Sequence, residues 1–379
     1  MKIAIHHTRF RRSGGIERYI WLLVERLLGD GHEVHVFARR WDALPHPQLR
    51  FHHVPAIPLG EGWKALSFAY ASARRLEGQD FDVVHSFTKT FTGDVYTDGS
   101  GCAEDFEAYR RTRSAWRRIT TWRPLLAWAV RHIERRRFRG SDRPRVIAMS
   151  RGVRDQLVAR HAFPAEKIEV LYSGVDTEVF HPRRREALRE TVRKDLQTPP
   201  GALVALFIGN DYGRKGLQTA IEALSGISGP GPVLWVVGMD RRPGPYEALA
   251  RRKGVDARFL GSSKDPGAFL AAADVFVFPS LYDAFGNVGL EALASGLPAI
   301  ISRRAGVSEI IEDGVDGIIL QDPESAAELR GHLETLLEPS RRAEMGVRAR
   351  RKAEAFDLQD HFGRIISLYA TVAADKHPR

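Results

Sequence analysis

The sequence predicts an α/β protein of two Rossmann-like, doubly wound parallel-sheet domains facing one another across a cleft. Three observations carry this expectation. Short apolar runs alternate with helix-length amphipathic stretches along nearly the whole chain, the pattern of parallel strands covered by helices. The pattern breaks once, after Leu171, at Ser173-Gly174-Val175-Asp176 and the polar stretch His181-Pro182-Arg183-Arg184-Arg185, and then restarts. A length of 379 residues suits two domains, and 43% hydrophobic with 27% charged residues is the composition of an ordinary globular chain. No run approaches the roughly 18 uninterrupted apolar residues of a membrane span.

In the first half, strands are expected at Lys2 to His6, Glu33 to Phe37, Phe51 to Val54, Asp82 to Ser86 and Arg145 to Met149. The helix from Ile16 to Leu28 places Ile16, Ile20, Leu23, Val24 and Leu27 on one face, which packs inward. After the crossing, strands are expected at Leu203 to Ile208, Val233 to Val237, Arg258 to Leu260, Val275 to Phe278, Ala299 to Ser302 and Gly317 to Leu320. Helices follow from Gly216, Tyr246, Pro266, Val288 and Pro323, and the stretch from Ser340 to about Val372 reads as helical. The domains expected are 1–172 and 173–355, with a C-terminal helix, 356–379, crossing back to the first. Open parallel sheets bind ligands outside the carboxyl ends of their strands, so the chemistry is expected in the loops there.

Composition narrows the function. The net charge is +10, and the window from Tyr109 to Arg139 alone holds eleven arginines against one acid, Glu134. The rest of the chain is close to neutral, so a general nucleic-acid coat is excluded and one basic segment needs explaining. The single cysteine, Cys102, excludes an internal disulfide and Cys-x-x-Cys zinc spacing. Met1 to His6 is a short apolar run that meets His6-His7-Thr8-Arg9 without the long apolar region of a leader, so a cytoplasmic location is expected.

Three loops are candidates for anion and sugar binding. Gly14 and Gly15 open the first helix, where free backbone N–H groups suit a phosphate, although a glycine pair there also serves as a plain turn. The phrase Phe207-Ile208-Gly209-Asn210-Asp211-Tyr212-Gly213-Arg214-Lys215-Gly216 leaves a strand and enters a helix with two cations at its mouth. A solvated basic turn and a diphosphate site both fit it. In Tyr282-Asp283-Ala284-Phe285-Gly286-Asn287-Val288-Gly289-Leu290-Glu291, Asp283 falls in the strand-to-helix loop and Glu291 about one turn into the helix. Carboxylates there accept hydrogen bonds from sugar hydroxyls, and N–H groups of Gly286 and Asn287 favour phosphate; helix capping and solvent exposure are the plain alternatives.

Across Asp283 to Pro298 this text resembles the retaining, nucleotide-sugar-dependent glycosyltransferases of the GT-B architecture. They carry an acid-seven-residues-acid motif followed by Ala-x-Ala-x-Gly-x-Pro. Gly238 after its strand, Phe259-Leu260-Gly261 and Gly306-Val307-Ser308-Glu309-Ile310-Ile311 are similar as well. The resemblance covers about residues 145 to 370, and the first half more loosely. It implies that Asp283 meets the transferred sugar, that Glu291 meets the ribose, and that Lys215 and Arg214 hold the diphosphate. Gly14, Gly15, Gly209, Gly238, Phe285, Gly286, Asn287, Val288 and Glu291 make up the expected substrate-binding set.

Two departures are visible: Asp283 stands where the family usually has Glu, and Asn210 stands where it has the first diphosphate Arg. The compressed phrase from Gly209 to Gly216, with Asp94-Val95-Tyr96 and Cys102-Ala103-Glu104, looks like the branch of glucosyltransferases that extend the lipopolysaccharide core. By the same resemblance Asp98, or Ser100, lies near the reacting carbon, and His85 lines the donor sugar. A strand-end histidine is as often structural.

The basic segment interleaves Trp116, Trp122 and Trp128 with arginines, and Trp122, Leu125, Leu126, Ala129 and Ile133 can form one apolar stripe. A membrane-interface helix, a nucleic-acid patch and a core helix with a solvated basic rim compete for it; the first places Trp116, Arg117, Arg118, Trp122 and Arg123 at anionic headgroups. The resemblance implies hexose transfer with retention, glucose from UDP-glucose, onto a membrane glycolipid such as lipopolysaccharide core, with no cofactor and no metal. The enzyme would work in the cytoplasm, peripherally at the inner face of the membrane. Closure about Ser173 to Asp176 would exclude water. The alternatives are mannosyl or other hexosyl transfer, a non-transferase sugar-nucleotide enzyme of the same fold, and a lipid-binding protein.

Overall fold

Lys2–His6 is buried from Ile3 onward, as a strand covered on both faces must be, and it is an interior strand of the first sheet, third of seven. The computed structural model describes residues 1–12, 14–105, 124–140, 142–227 and 232–377. The chain divides into two units, Met1–Tyr172 with His361–Arg379, and Ser173–Asp360. Trp116, Arg117, Arg118, Trp122 and Arg123 lie outside the described residues.

In chain order the first unit holds β1 (Lys2–His6), β2 (Arg9–Phe10), α1 (Ile16–Gly29), β3 (Glu33–Ala38), β4 (Arg40–Trp41), β5 (Leu49–His53), α2 (Glu61–Leu76), β6 (Val83–Ser86) and β7 (Val95–Asp98). It continues with α3 (Pro124–Arg139), β8 (Arg145–Ala148), α4 (Arg151–His161) and β9 (Ile168–Val170). Its main sheet runs β5-β3-β1-β6-β7-β8-β9, and its neighbouring strands pair in parallel. Ala4, Phe37, Val54, Phe68, Phe81 and Val84 form an apolar cluster in this unit.

The second unit holds α5 (Arg184–Asp195), β10 (Val204–Ile208), α6 (Leu217–Leu224), β11 (Val233–Val237), α7 (Gly244–Lys253), β12 (Ala257–Gly261), α8 (Pro266–Ala272) and β13 (Val275–Phe278). After these come α9 (Asn287–Ala294), β14 (Ala299–Ser302), β15 (Ile318–Leu320), α10 (Ala326–Thr335) and α11 (Pro339–Glu354). The last helix, α12 (Leu358–Lys376), begins in the second unit and continues in the first. The second sheet runs β12-β11-β10-β13-β14-β15, also parallel throughout. Its order reverses between β10 and β13, and that switch point is where an open α/β sheet leaves a crevice at its carboxyl edge.

Several expectations are corrected. β7, β9 and the short parallel pair β2–β4 were not expected as strands; β7 is four residues with no alternation, because it is buried along its length. The helix expected from Pro323 begins at Ala326, since the Ser325 hydroxyl accepts the Glu328 N–H at 3.1 Å and caps it there. The single stretch from Ser340 to Val372 is two helices, and Asp357 at the break accepts the Gln359 N–H at 2.7 Å.

The apolar stripe expected on α3 also differs. Leu125 is 38% exposed and Trp128 49%, while the buried face carries Ala129, Ile133, Glu134, Arg137 and Phe138. The polar members are buried because they are paired. Glu134 meets Lys89 and the Ala103 N–H (3.1 Å), and Arg137 donates to the carbonyls of Gly93 and Asp142. α3 lies against α2 at Gly62, where a Cβ would fall 2.6 Å from Leu125 Cγ, so only glycine permits that approach.

Candidate functional site

The loops leaving β10 and β13 meet at the switch point of the second sheet. After Gly209, Asp211 adopts φ +59°, and its carbonyl accepts the N–H groups of Arg214 (2.9 Å) and Lys215 (3.0 Å) in a tight turn. Gly216 follows at φ +78°, and a Cβ there would overlap the carbonyl oxygen of Pro279. Only glycine lets the two loops approach so closely. The Arg214 carbonyl in turn accepts the Leu281 N–H at 2.8 Å.

This stitching brings three charged side chains together. Lys215 Nζ forms an ion pair with Asp283 Oδ2, and Arg214 reaches the same oxygen at 3.3 Å while donating to the Tyr282 carbonyl at 2.9 Å. The Lys215 ammonium also lies 4.6 Å from the centre of the Phe278 ring, a cation–π contact. Burial opposes the Asp283 charge, but the Lys215 ammonium and Arg214 guanidinium outweigh it and hold the carboxyl below its ordinary range. Burial pulls the Lys215 ammonium down from its usual value, against the attraction of Asp283.

The Asp283 backbone is fixed from both sides: its N–H donates to Arg304 O at 3.2 Å and its carbonyl accepts the Gly306 N–H at 3.1 Å. Phe285 is buried, and its carbonyl accepts the Val307 N–H at 2.8 Å. Gly286 caps α9 at φ +95°, where a Cβ would fall 2.8 Å from the Phe278 ring. No side chain caps that helix end, so Asn287 and Val288, both half-buried, begin α9 with its first N–H groups available to an anion. Glu291, half-buried, follows one turn into the helix. Gly209 and Gly238 line the neighbouring turn, and Tyr212 braces it by donating through its hydroxyl to Gly238 O at 2.8 Å.

The structure thus brings Asp283, Lys215, Arg214, Phe285, Gly286, Asn287, Val288 and Glu291 to one edge of one sheet. Sequence reasoning missed Phe278 beneath the ammonium and Asp211, which pairs with Arg214 at 3.4 Å; an Asp two residues past a strand-end glycine was the available signal. Chemically the cluster gathers two cations on one carboxylate beside the uncapped start of α9, a set of groups that can bind an anion. Among the described residues, no group of three or more His, Cys, Asp or Glu side chains is placed to hold a metal ion.

The first-unit candidates lie in a separate set of loops and strands. His85 is buried in β6, and its two ring nitrogens are occupied by the Tyr369 hydroxyl and by Thr97 Oγ1 (2.8 Å). Burial lowers its pKa to about 3, so the ring is held neutral. Asp98 is buried as well; its Oδ1 accepts the Gly101 N–H at 2.9 Å and the Ser100 N–H at 3.2 Å, while its Oδ2 is buried with no hydrogen-bond partner among the described residues. At Gly14 and Gly15 the α1 N-terminus already faces a carboxylate: a Cβ on Gly14 would fall 2.9 Å from Glu17 Oε2, and Arg9 lies 3.6 Å from Glu17. No side chain caps this helix end by a hydrogen bond, although the Glu17 carboxylate lies close to it.

Comparison with known proteins bears on the family and the fold. Residues 189–353 match the family model of glycosyl transferases group 1, and residues 13–179 match Glycosyltransferase Family 4. A crystal structure of WaaG, a glycosyltransferase involved in lipopolysaccharide biosynthesis, superposes with a TM-score of 0.84 at 23% identity, covering 97% of this chain and 99% of that one. The chain is a GT-B glycosyltransferase. Within that class it stands near the lipopolysaccharide core glucosyltransferase branch: the lipopolysaccharide glucosyltransferase WaaG of Escherichia coli is 26% identical over 365 residues, 94% of this chain and 96% of that enzyme. The MMP alpha-(1->4)-mannosyltransferase of Mycolicibacterium hassiacum is 26% identical over 419 residues, covering 99% of both chains. HepE of Anabaena, solved in complex with UDP-glucose, shares the fold with a TM-score of 0.75 at 19% identity, over 98% of this chain and 100% of that one.

Proposed function

We propose that this glycosyltransferase moves glucose from UDP-glucose onto a hydroxyl of a membrane glycolipid, lipopolysaccharide core, with retention at the anomeric carbon. The observation that carries the reading is the convergence of Lys215 and Arg214 on Asp283 at the carboxyl edge of the second sheet. In this reading the donor diphosphate takes the two cations and the open N–H groups of α9, while Asp283 turns to the sugar hydroxyls and Glu291 holds the ribose. Charge grows on the diphosphate as the sugar–oxygen bond breaks, and preorganised cations lower that barrier. The acceptor oxygen bonds to the same face of the sugar, and its proton passes to the departing phosphate. Because Lys215 and Arg214 supply the positive charge, the reaction runs without a metal.

Among the described residues no helix is long and apolar enough to cross a membrane. Attachment to the cytoplasmic membrane surface through segment 109–139, with its eleven arginines, is part of the proposal. Mannose transfer is the second reading, favoured by the full-length similarity to the mannosyltransferase.

The test is nucleoside diphosphate release from UDP-glucose, UDP-galactose, UDP-N-acetylglucosamine and GDP-mannose, with and without glycolipid. Release from UDP-glucose should rise with acceptor, fall about 10²- to 10³-fold in Lys215→Ala, and be abolished in Glu291→Ala by loss of donor binding. Release from GDP-mannose alone would establish the second reading. Unchanged nucleotide affinity in Glu291→Ala would remove that residue from the site.

A further inference from the structure

The loop from Pro55 to Gly60 and helix α2 enclose a groove of about 660 Å³, lined by Pro55, Ile57, Trp63, Leu66 and Tyr70, with Arg74 and Arg75 at one end. Its volume lies in the range of sites that hold small amphiphiles. The groove is built into the fold. The Ile57 N–H donates to Ser67 Oγ at 2.9 Å, and Ser67 Oγ donates to the Trp63 carbonyl at 2.6 Å, which holds the loop alongside the helix. Tyr70 is set by Phe91, whose ring lies 4.7 Å from its own.

The walls are apolar yet wet: Ile57 is 44% exposed, Trp63 45% and Tyr70 45%, and Leu59 beside them is more exposed still. Neighbouring exposed apolar side chains at this density mark a binding surface rather than scattered surface residues. Arg74 and Arg75 are exposed, and neither guanidinium has an acidic partner among the described residues. An apolar trough that ends in two uncompensated guanidiniums is complementary to a molecule with a hydrocarbon chain and an anionic head.

We infer that this groove binds one anionic phospholipid of the bilayer, with an acyl chain along Ile57, Trp63 and Tyr70 and the headgroup phosphate on Arg74 and Arg75. Guanidinium groups hold phosphate oxygens in pairs, and each buried methylene adds apolar burial. Its lining residues lie outside the neighbouring basic segment 109–139, and the site depends on neither the donor nor the acceptor of the proposed reaction.

The experiment is flotation of the full chain with phosphatidylcholine vesicles, with and without phosphatidylglycerol, in the absence of any sugar nucleotide. The expected result is a partition onto phosphatidylglycerol vesicles that falls about 30-fold in Arg74→Gln/Arg75→Gln and is restored in Arg74→Lys/Arg75→Lys. Trp63→Asp should weaken binding to both kinds of vesicle, and UDP binding serves as the control for folding. Vesicle binding that is unchanged in the groove variants but lost in Arg117→Gln/Arg118→Gln/Arg123→Gln would overturn the inference while leaving the proposed membrane attachment intact. A concentration-dependent dimer that Trp63→Asp abolishes, without lipid binding by the parent, would assign the groove to a second copy and overturn it as well.

Discussion

In the first unit His6, His85 and His361 are buried and held neutral, with pKa values lowered to about 3, about 3 and about 4, each chiefly by burial. The second unit contains only His181 and His332, neither of them buried, and places its buried polarity in charge pairs instead. Asp274 meets Arg185, Arg189 and Arg193, and Asp316 meets Lys352 at 3.1 Å. The two units therefore bury groups that titrate in different ranges. The first unit also contains a charge pair, Lys89–Glu134, so the contrast rests on the histidines.

The widest separation of the two units should come from mild acid. Unfolded histidines take up protons below 6.5, and the buried ones do not until far lower, so the first unit loses stability as pH falls from 6.5. The loss is about 1.4 kcal/mol per histidine for each pH unit. The Asp274 carboxyl is held below its ordinary range by the arginines, which overcome the opposing effect of burial, so its contribution persists until pH falls below the carboxylate range. Hydrogen exchange at pH 5 should show the first unit opening while the second stays protected; equal protection would erase the contrast.

A smaller effect is expected from Asp274→Asn, which leaves three arginines around an uncharged group. It should cost the second unit about 3 kcal/mol, seen in calorimetry as a melting point lower by roughly 6–12 °C. A loss under about 1 kcal/mol, the scale of a surface pair, would mean that the arginines are held by carbonyls alone. Smaller again is Gly216→Ala, which combines a left-handed backbone with overlap on Pro279. About 2 kcal/mol of stability should go, and UDP binding should weaken further than that, since the loop carrying Arg214 and Lys215 must shift. Unaltered UDP affinity would separate the loop geometry from the anion site.

The sequence made the helix-covered parallel sheets legible because β10, β13 and β14 are continuous apolar runs between turn residues. It misjudged α3, where apolar periodicity selected Leu125, because Glu134 and Arg137 are buried through partners that no local pattern reveals. The placement of Asp283, Lys215 and Glu291 in strand-to-helix loops and the helices they open was legible from spacing, while their roles rested on the resemblance. The pairing of Asp283 with Lys215 was not, since it depends on how closely Gly216 approaches Pro279. The bond from His85 to Tyr369 was not legible either, because its partner lies 284 positions away in sequence.

The clamp on Asp274 has one further consequence. Helix α5 buries no residue fully, and its attachment includes guanidiniums at every fourth position: Arg185, Arg189 and Arg193 gather on one carboxylate and on the carbonyls of Ala271, Ala272 and Ala273 at the end of α8. An apolar seam tolerates small slides, because area changes gradually with displacement. Teeth engaging a single slot do not: a shift of one residue turns all three guanidiniums away together. The helix therefore works as an indexed pin that fixes the angular setting of α5 at the N-terminal edge of the second unit.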